Sequence, residues 1–217
     1  MQLARFCGWQ EDEVVLQAGK IARGSQSRNL VEVMQTAGIA ELASDGSFDL
    51  PGGVPVDMGS PQNPPRTFGA IFVEVAVDPE LGLLRLRRAT GVYSAGRILN
   101  PRTATSQMIG GIVWGWGMAA MEASHFESHL GRWYAKDLAG IAIPVNADIP
   151  AAIDVSFVDE FDAKSGPLGA KGIGELGATG VAAAVGNALF DAVGIRVRDL
   201  PITPSKLIDS AKNIASN

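Results

Sequence analysis

The segment Gly169-Ala-Lys-Gly-Ile-Gly-Glu-Leu-Gly-Ala-Thr-Gly180 sets five glycines around one carboxylate, Glu175. Glycines at this density let a backbone take positive φ and approach a ligand closely. A helix pattern of small apolar residues, Val181 to Val193, follows at once. Its start offers free N–H groups and the positive end of a helix dipole, which together suit an anion. Glu175 is then either a charge that complements the helix end or a catalytic base. Gly172-Ile-Gly-Glu-Leu-Gly177 formally fits G-x-G-x-x-G, but the residues before it, 162–169, read as loop. A dinucleotide fingerprint needs a strand running directly into its glycines. A P-loop is excluded as well, because Lys171 is followed by Gly172 and not by Ser or Thr.

Composition narrows the classes further. With 47% hydrophobic and 19% charged residues, the chain can bury a sizeable core as one large domain or two small ones. A net charge of −5 with no Lys/Arg run argues against a nucleic-acid surface. Cys7 is the single cysteine, so this chain by itself builds no disulfide and no iron–sulfur or structural zinc site. No apolar stretch is long enough for a membrane span, and no export signal is visible. The expected location is the cytoplasm, with the periplasm as the alternative if a signal-bearing partner carries the chain out.

In chain order, residues 1–67 form a poorly defined N-terminal segment. Glu13 to Ile21 alternates as a short strand, Asn29 to Gly38 reads as a helix with a glycine stop, and Ser44 to Pro65 as a long loop. Ile71, Val73, Val75 and Val77 then alternate with Phe72, Glu74, Ala76 and Asp78. The turn Asp78-Pro-Glu-Leu-Gly82 and the return from Leu84 to Tyr93 complete a β-hairpin. Asn100 and Pro101 suit the N-cap and first position of a helix running through Glu122. Gly110, Gly111, Gly115 and Gly117 lie inside that helix, each costing about 1 kcal/mol against alanine. Close approach of a backbone or cofactor, or tight helix–sheet packing, accounts for such a pattern. Gln107 is either a ligand-bonding amide in the second turn or a surface glutamine. His125 and His129 do not match a zinc-protease pattern and read as a solvated turn. Ala152 to Val158 is a further strand, and Thr203-Pro204 starts a final helix.

Five pieces, in this order, resemble one family: Gly69-Ala-Ile-Phe-Val-Glu-Val75, Gly96-Arg-Ile-Leu-Asn-Pro101, Ser106-Gln-Met-Ile-Gly-Gly111, Gly169 to Gly177, and Arg198-Asp-Leu-Pro-Ile-Thr-Pro204. The stretch from Phe68 to Leu207 is similar to the C-terminal part of the molybdenum-binding large subunit of the xanthine dehydrogenase and aldehyde oxidase family, in its bacterial aldehyde-oxidising branch. Residues 1–67 resemble the family only loosely.

The resemblance implies a molybdenum-dependent oxidoreductase that converts an aldehyde to a carboxylic acid with water as the oxygen source. Glu175 matches the family's catalytic base, which takes the proton from a hydroxide on the metal. Gln107 matches a glutamine that hydrogen-bonds the pterin. Arg97, Ile98, Leu99, Asn100, Pro101, Arg102 and Thr103, together with Lys171, Gly172, Ile173 and Gly174, match segments that hold the cofactor, in bacterial members molybdopterin cytosine dinucleotide. No residue of this chain matches a metal ligand. Iron–sulfur clusters and FAD are expected on partner chains, and a further chain or domain would supply the family's earlier glycine-rich loops, which residues 1–67 lack. The expected fold is α+β, a β-hairpin-based sheet packed with glycine-rich helices over 68–217, as part of a larger molybdenum-binding domain. The alternatives are a non-catalytic remnant or assembly partner that binds no cofactor, and a hydroxylase of an N-heterocycle.

Overall fold

The computed structural model describes residues 2–43 and 66–208. The loop read over Ser44 to Pro65 lies outside the described residues. Two compact units divide the chain, Met1–Ser47 and Phe48–Asn217.

The first unit is a short helix, a three-stranded meander and a second helix: α1 Gln2–Phe6, β1 Val15–Gln17, β2 Lys20–Arg23, β3 Gln26–Asn29 and α2 Leu30–Thr36. Leu3, Ala4, Cys7, Ile21 and Val33 form its core, packed by Trp9, Leu30 and Met34. The single strand expected over Glu13 to Ile21 is instead the end of a 3-10 turn, β1, a two-residue turn, and the start of β2. The turn is Ala18-Gly19, at φ 48° and 72°. Positive φ at both positions matches the twist of a tight hairpin, and an alanine at the first position hides that turn from composition. The α2 reading holds: the Asn29 side chain accepts from the Val31 amide, and Gly38 ends the helix at φ 66°.

The second unit is built on the expected hairpin. β4 Phe68–Asp78 and β5 Leu83–Ser94 pair antiparallel, with an irregularity between Glu74 and Val75. The turn is held by the Asp78 carboxylate, which accepts from the Glu80 and Leu81 amides at 3.0 Å each. The strand near 152–158 is β8 Ile153–Phe157, and it pairs parallel to β5 over Ala89 to Tyr93. A parallel neighbour requires a long crossover, here the helix α3 Pro101–Ala120 and the loops after it, including the two-residue strands β6 Phe126–Glu127 and β7 Arg132–Trp133. His125 precedes that small hairpin, and His129 lies in its turn.

Helix α3 starts as expected: the Asn100 side chain accepts from the Arg102 and Thr103 amides, and Pro101 takes the first turn. It ends at Ala120, short of Glu122, where Met121 and Glu122 both donate to the Gly117 carbonyl. Ala104, Met108, Ile112, Trp116 and Ala119 make one buried stripe at three- and four-residue spacing. Helix α4 Val181–Val193 buries Val181, Val185 and Leu189. Ile112, Trp116 and Ala119 of the first stripe and all three residues of the second join Leu86, Ala89, Ile195, Ile202 and Leu207 in the main core. A last helical turn covers 204–208. Among the described residues no helix is long and apolar enough to cross a membrane.

The helix glycines separate by what they face. A Cβ on Gly111 would lie 2.7 Å from backbone atoms of Gly177, and one on Gly115 would lie 2.6 Å from the Val181 side chain. Backbone approach and helix–helix packing thus account for these two. A Cβ on Gly110 meets nothing within 4 Å.

Candidate active site

The glycine-rich segment is a chain of turns from Gly174 to Gly180 and not the first turn of α4. Its five glycines do different work. Only Gly169 and Gly180 take positive φ, at 63° and 88°. Gly177 lies against Met108 and Gly111 of α3, whereas Gly172 and Gly174 have open space where a side chain would stand. That open backbone is the surface available for close approach of a ligand.

Glu175 stands exposed between these two kinds of glycine. Its main-chain carbonyl accepts from the Ala178 amide at 3.1 Å and the Thr179 hydroxyl at 3.3 Å, which fixes the turn beneath it. Its carboxylate has no ion-pair partner among the described residues. The N-cap of α4 is Gly180, five residues later. The helix dipole fades within the first turn, so it does not account for this carboxylate. Glu175 lines a cleft of about 420 Å³ with Thr67, Phe68, Gly69, Gly172, Gly174, Leu176 and Thr179. A larger cleft of about 750 Å³ lies elsewhere, around Leu84, Leu86, Trp116, Met121, Ile149 and Ile202. Its lining holds one carboxylate, Asp148, and none of the residues matched to the cofactor or the base.

Two segments far apart in sequence meet at this site. Gly96 and Ala170 form a β-bridge, flanked by Arg97 N–H to Gly169 O at 2.8 Å and Lys171 N–H to Ala95 O at 3.0 Å. Gly96 has φ 66°, and a side chain there would strike the Gly169 carbonyl. Further along, the Gln107 amide donates to the Gly174 carbonyl at 2.5 Å. Arg97, Ile98 and Pro101 line a separate cleft with Val155 to Glu160. Leu99, Asn100, Arg102, Thr103 and Gln107 are exposed and line neither of these two clefts. The cap by Asn100 already occupies the Arg102 and Thr103 amides. The charged donors this segment offers an anion are the exposed Arg97 and Arg102 guanidinium groups.

Under the site lies a small apolar floor of Tyr93, Ala95, Met108 and Leu176, joined by Ile98 and Ile173. A Cβ on Gly69 or Gly91 would come within 2.5 Å of the Tyr93 side chain, so both strand glycines make room for its ring. The buried Tyr93 hydroxyl has no hydrogen-bond partner among the described residues, and desolvation pushes its pKa up to about 12. Alternation marks Tyr93 as a strand residue, but nothing in the sequence marks it as the floor.

Sequence reasoning also missed an acidic cluster behind the loop. Glu160 Oε1 accepts from Ser94 Oγ at 2.9 Å, Gly96 N–H at 2.6 Å and Lys171 Nζ at 2.7 Å. Lys171 Nζ also lies 3.6 Å from Asp162, and its side chain is only 8% exposed. The Lys171 ammonium is therefore directed into this cluster. Lys171, then the Gly96 amide and Ser94, hold the Glu160 carboxyl below the usual carboxylate range. Glu160 in turn holds Lys171 above the usual ammonium range. A depressed carboxyl pKa stabilises the fold above the unfolded value, about 4.3, and that contribution is lost as pH falls through the folded value. The raised lysine acts in the opposite sense, losing its contribution as pH rises beyond about 10.4. Melting temperature measured from pH 7 downward should fall less steeply below about pH 4.3 for Glu160→Gln than for the parent. Superimposable acid limbs would show that the pair contributes nothing.

The fold mixes helices and small sheets, and two segments distant in sequence meet beside the glycine-bared loop. The molybdopterin cofactor-binding domain model matches residues 2–150, and the chain belongs to that family. The match reaches into the N-terminal region, where the motifs gave little likeness. The chain is 42% identical over 212 residues to the aldehyde oxidoreductase molybdenum-binding subunit PaoC of Escherichia coli, covering 98% of this chain and 28% of that protein. The aldehyde oxidoreductase structure from Desulfovibrio desulfuricans aligns at 32% identity and TM-score 0.60, over 66% of this chain and 15% of that one. Quinoline 2-oxidoreductase from Pseudomonas putida shares the fold at TM-score 0.75 and 22% identity, over 97% of this chain and 27% of that one. The chain thus spans about a quarter of the length of PaoC, and its relatives are molybdenum-dependent oxidoreductases.

Proposed function

We propose that this chain forms one wall of the molybdenum cofactor site of an aldehyde-oxidising hydroxylase, with Glu175 as its general base. The observation that carries the reading is the free Glu175 carboxylate at the rim of a cleft whose backbone is bared by Gly172 and Gly174. Aldehyde as substrate is supported by the name of the relative at 42% identity and by that of the Desulfovibrio desulfuricans structure at 32%, whereas relatives at 32% and 34% are named for hypoxanthine and xanthine.

The residues present fit such a group: open glycine backbone, an exposed amide at Gln107, and two uncommitted guanidinium groups. Arg97 and Arg102 would hold phosphate oxygens, a task suited to the forked guanidinium, in the cytosine dinucleotide form of the cofactor. Gln107 would bond the pterin while keeping Gly174 in place. The cofactor, when bound, supplies the oxygen-transfer and electron-accepting chemistry. The chain's own part is to orient and to move a proton: Glu175 takes one at its carboxylate as water oxygen is committed to the aldehyde carbon. Overall, aldehyde and water give carboxylic acid, two protons and two electrons. The electrons leave for iron–sulfur and FAD partner chains, and the remaining part of the site comes from the rest of a subunit of PaoC-like length.

The test is molybdenum content and aldehyde turnover with an artificial electron acceptor, in the complex that supplies the rest of the subunit. A complex without molybdenum would reject the reading. One that holds cofactor but never turns over would mark a non-catalytic remnant. In the same complex, Gln107→Ala should weaken cofactor binding by about 1–3 kcal/mol, the range for stranding a buried hydrogen-bond partner. Undiminished molybdenum retention would return Gln107 to the role of a surface residue that only steadies Gly174.

A further inference from the structure

The two segments assigned to the cofactor are joined by a short backbone bridge, and what locks the bridge comes from a third place. Glu160 follows β8, belongs to neither segment, and accepts on one oxygen from both. Ser94 and Gly96 reach it from the end of β5 and the residues beyond it, and Lys171 reaches it from the glycine-rich loop. Asp162, on the same stretch as Glu160, takes the other side of the ammonium, while its own amide donates to Gly169 O at 3.2 Å. The Gly169 carbonyl thus receives Arg97 and Asp162 together, at the point where the two segments cross.

We propose that Glu160 is a positioning residue: through Lys171 and the Gly96 amide it sets the separation between the segment bearing Arg97 and the loop bearing Glu175. The proposal rests on the cofactor reading of that site. A part-buried ion pair is a weak source of stability, since desolvation offsets most of the attraction, but breaking it strands a charge. Such a pair serves better as a fixed strut than as cement. It spans the crossing point, where the other polar links between the segments among the described residues are backbone bonds and the Gln107 contact, above the shared apolar floor. Displacement of a catalytic group by about 1 Å can cost on the order of a hundredfold in rate, so a strut here bears directly on Glu175.

The experiment combines amide hydrogen exchange on the full chain with molybdenum content and turnover in the complex. Glu160→Gln should accelerate exchange at the Gly96, Arg97 and Lys171 amides by about tenfold or more, as expected for loss of charge-assisted bonds. Amides of α4 should keep their protection. Lys171→Met should give the same local change, and the double variant should be no worse than either single, because both remove one interaction. Molybdenum retention or kcat should fall in step, without a matching rise in KM. Glu175→Gln should leave these amides unchanged, which separates the strut from the base. Unchanged local exchange in Glu160→Gln, or additive effects of the two substitutions, would overturn the strut. Faster exchange with parental molybdenum content and kcat would reduce it to local packing and overturn the positioning role. A parent complex lacking molybdenum would sink the cofactor reading, and the positioning role with it, even if the exchange pattern followed expectation.

Discussion

Glu175→Gln should lower aldehyde turnover by roughly 10²–10⁴-fold, the range for a positioned proton-transfer group, while molybdenum content and melting temperature stay at parental values. Glutamine is close to isosteric and keeps an acceptor oxygen, so the substitution removes charge and basicity and leaves shape alone. The fold has little to lose, because the Glu175 side chain is exposed and its fold-stabilising contacts are made by its main-chain carbonyl. If Glu175 served only as a helix-end charge, the variant would be almost silent in turnover. Its place five residues before the N-cap of α4 argues against that role. Turnover within a few-fold of the parent would reject Glu175 as the base.

The second large effect concerns two adjacent glycines of α3. Gly110→Ala should stabilise the protein by up to about 1 kcal/mol, the helix-propensity difference, because its Cβ would enter open space. Gly111→Val should destabilise by about 1–3 kcal/mol, the usual range for overpacking. The groups its Cβ would strike are the Cα and carbonyl carbon of Gly177 and the Ala178 nitrogen, between 2.7 and 2.8 Å away. Backbone cannot swing aside as a flexible side chain can, so accommodation would have to move the loop at a point two residues after Glu175. Gly111→Val should consequently reduce turnover even in folded complex, whereas Gly110→Ala should not. Denaturant unfolding of the two variants side by side is the measurement. Equal stabilities would show that α3 does not press on the glycine-rich loop.

Local chemistry made much of the fold legible before any coordinates. Period-two alternation from Ile71 to Asp78, a Pro-Gly turn and a returning strand specify a hairpin. Asn100-Pro101 specifies a helix start, because capping and proline geometry act within a few residues. The spacing of Val181, Val185, Leu189 and Val193 specifies the inward stripe of α4 for the same reason, although Val193 at its end is only half-buried. The five joint motifs identified the family and singled out Glu175, Gln107 and the two segments at 97–103 and 171–174. Tertiary structure decided what depends on groups distant in sequence. The parallel pairing of β8 to β5 needs a crossover whose path no local pattern records, and the Ala18-Gly19 turn hides behind an alanine at positive φ. Which helix glycine is crowded and which is free depends on where Gly177 and Val181 lie, so Gly110 and Gly111 look alike in sequence and differ in space. Lys171 reads as a loop cation beside glycines. Only the fold brings Glu160, 11 residues back, and Ser94, 66 residues before Glu160, onto one point, because an ion pair leaves no periodic trace along the chain.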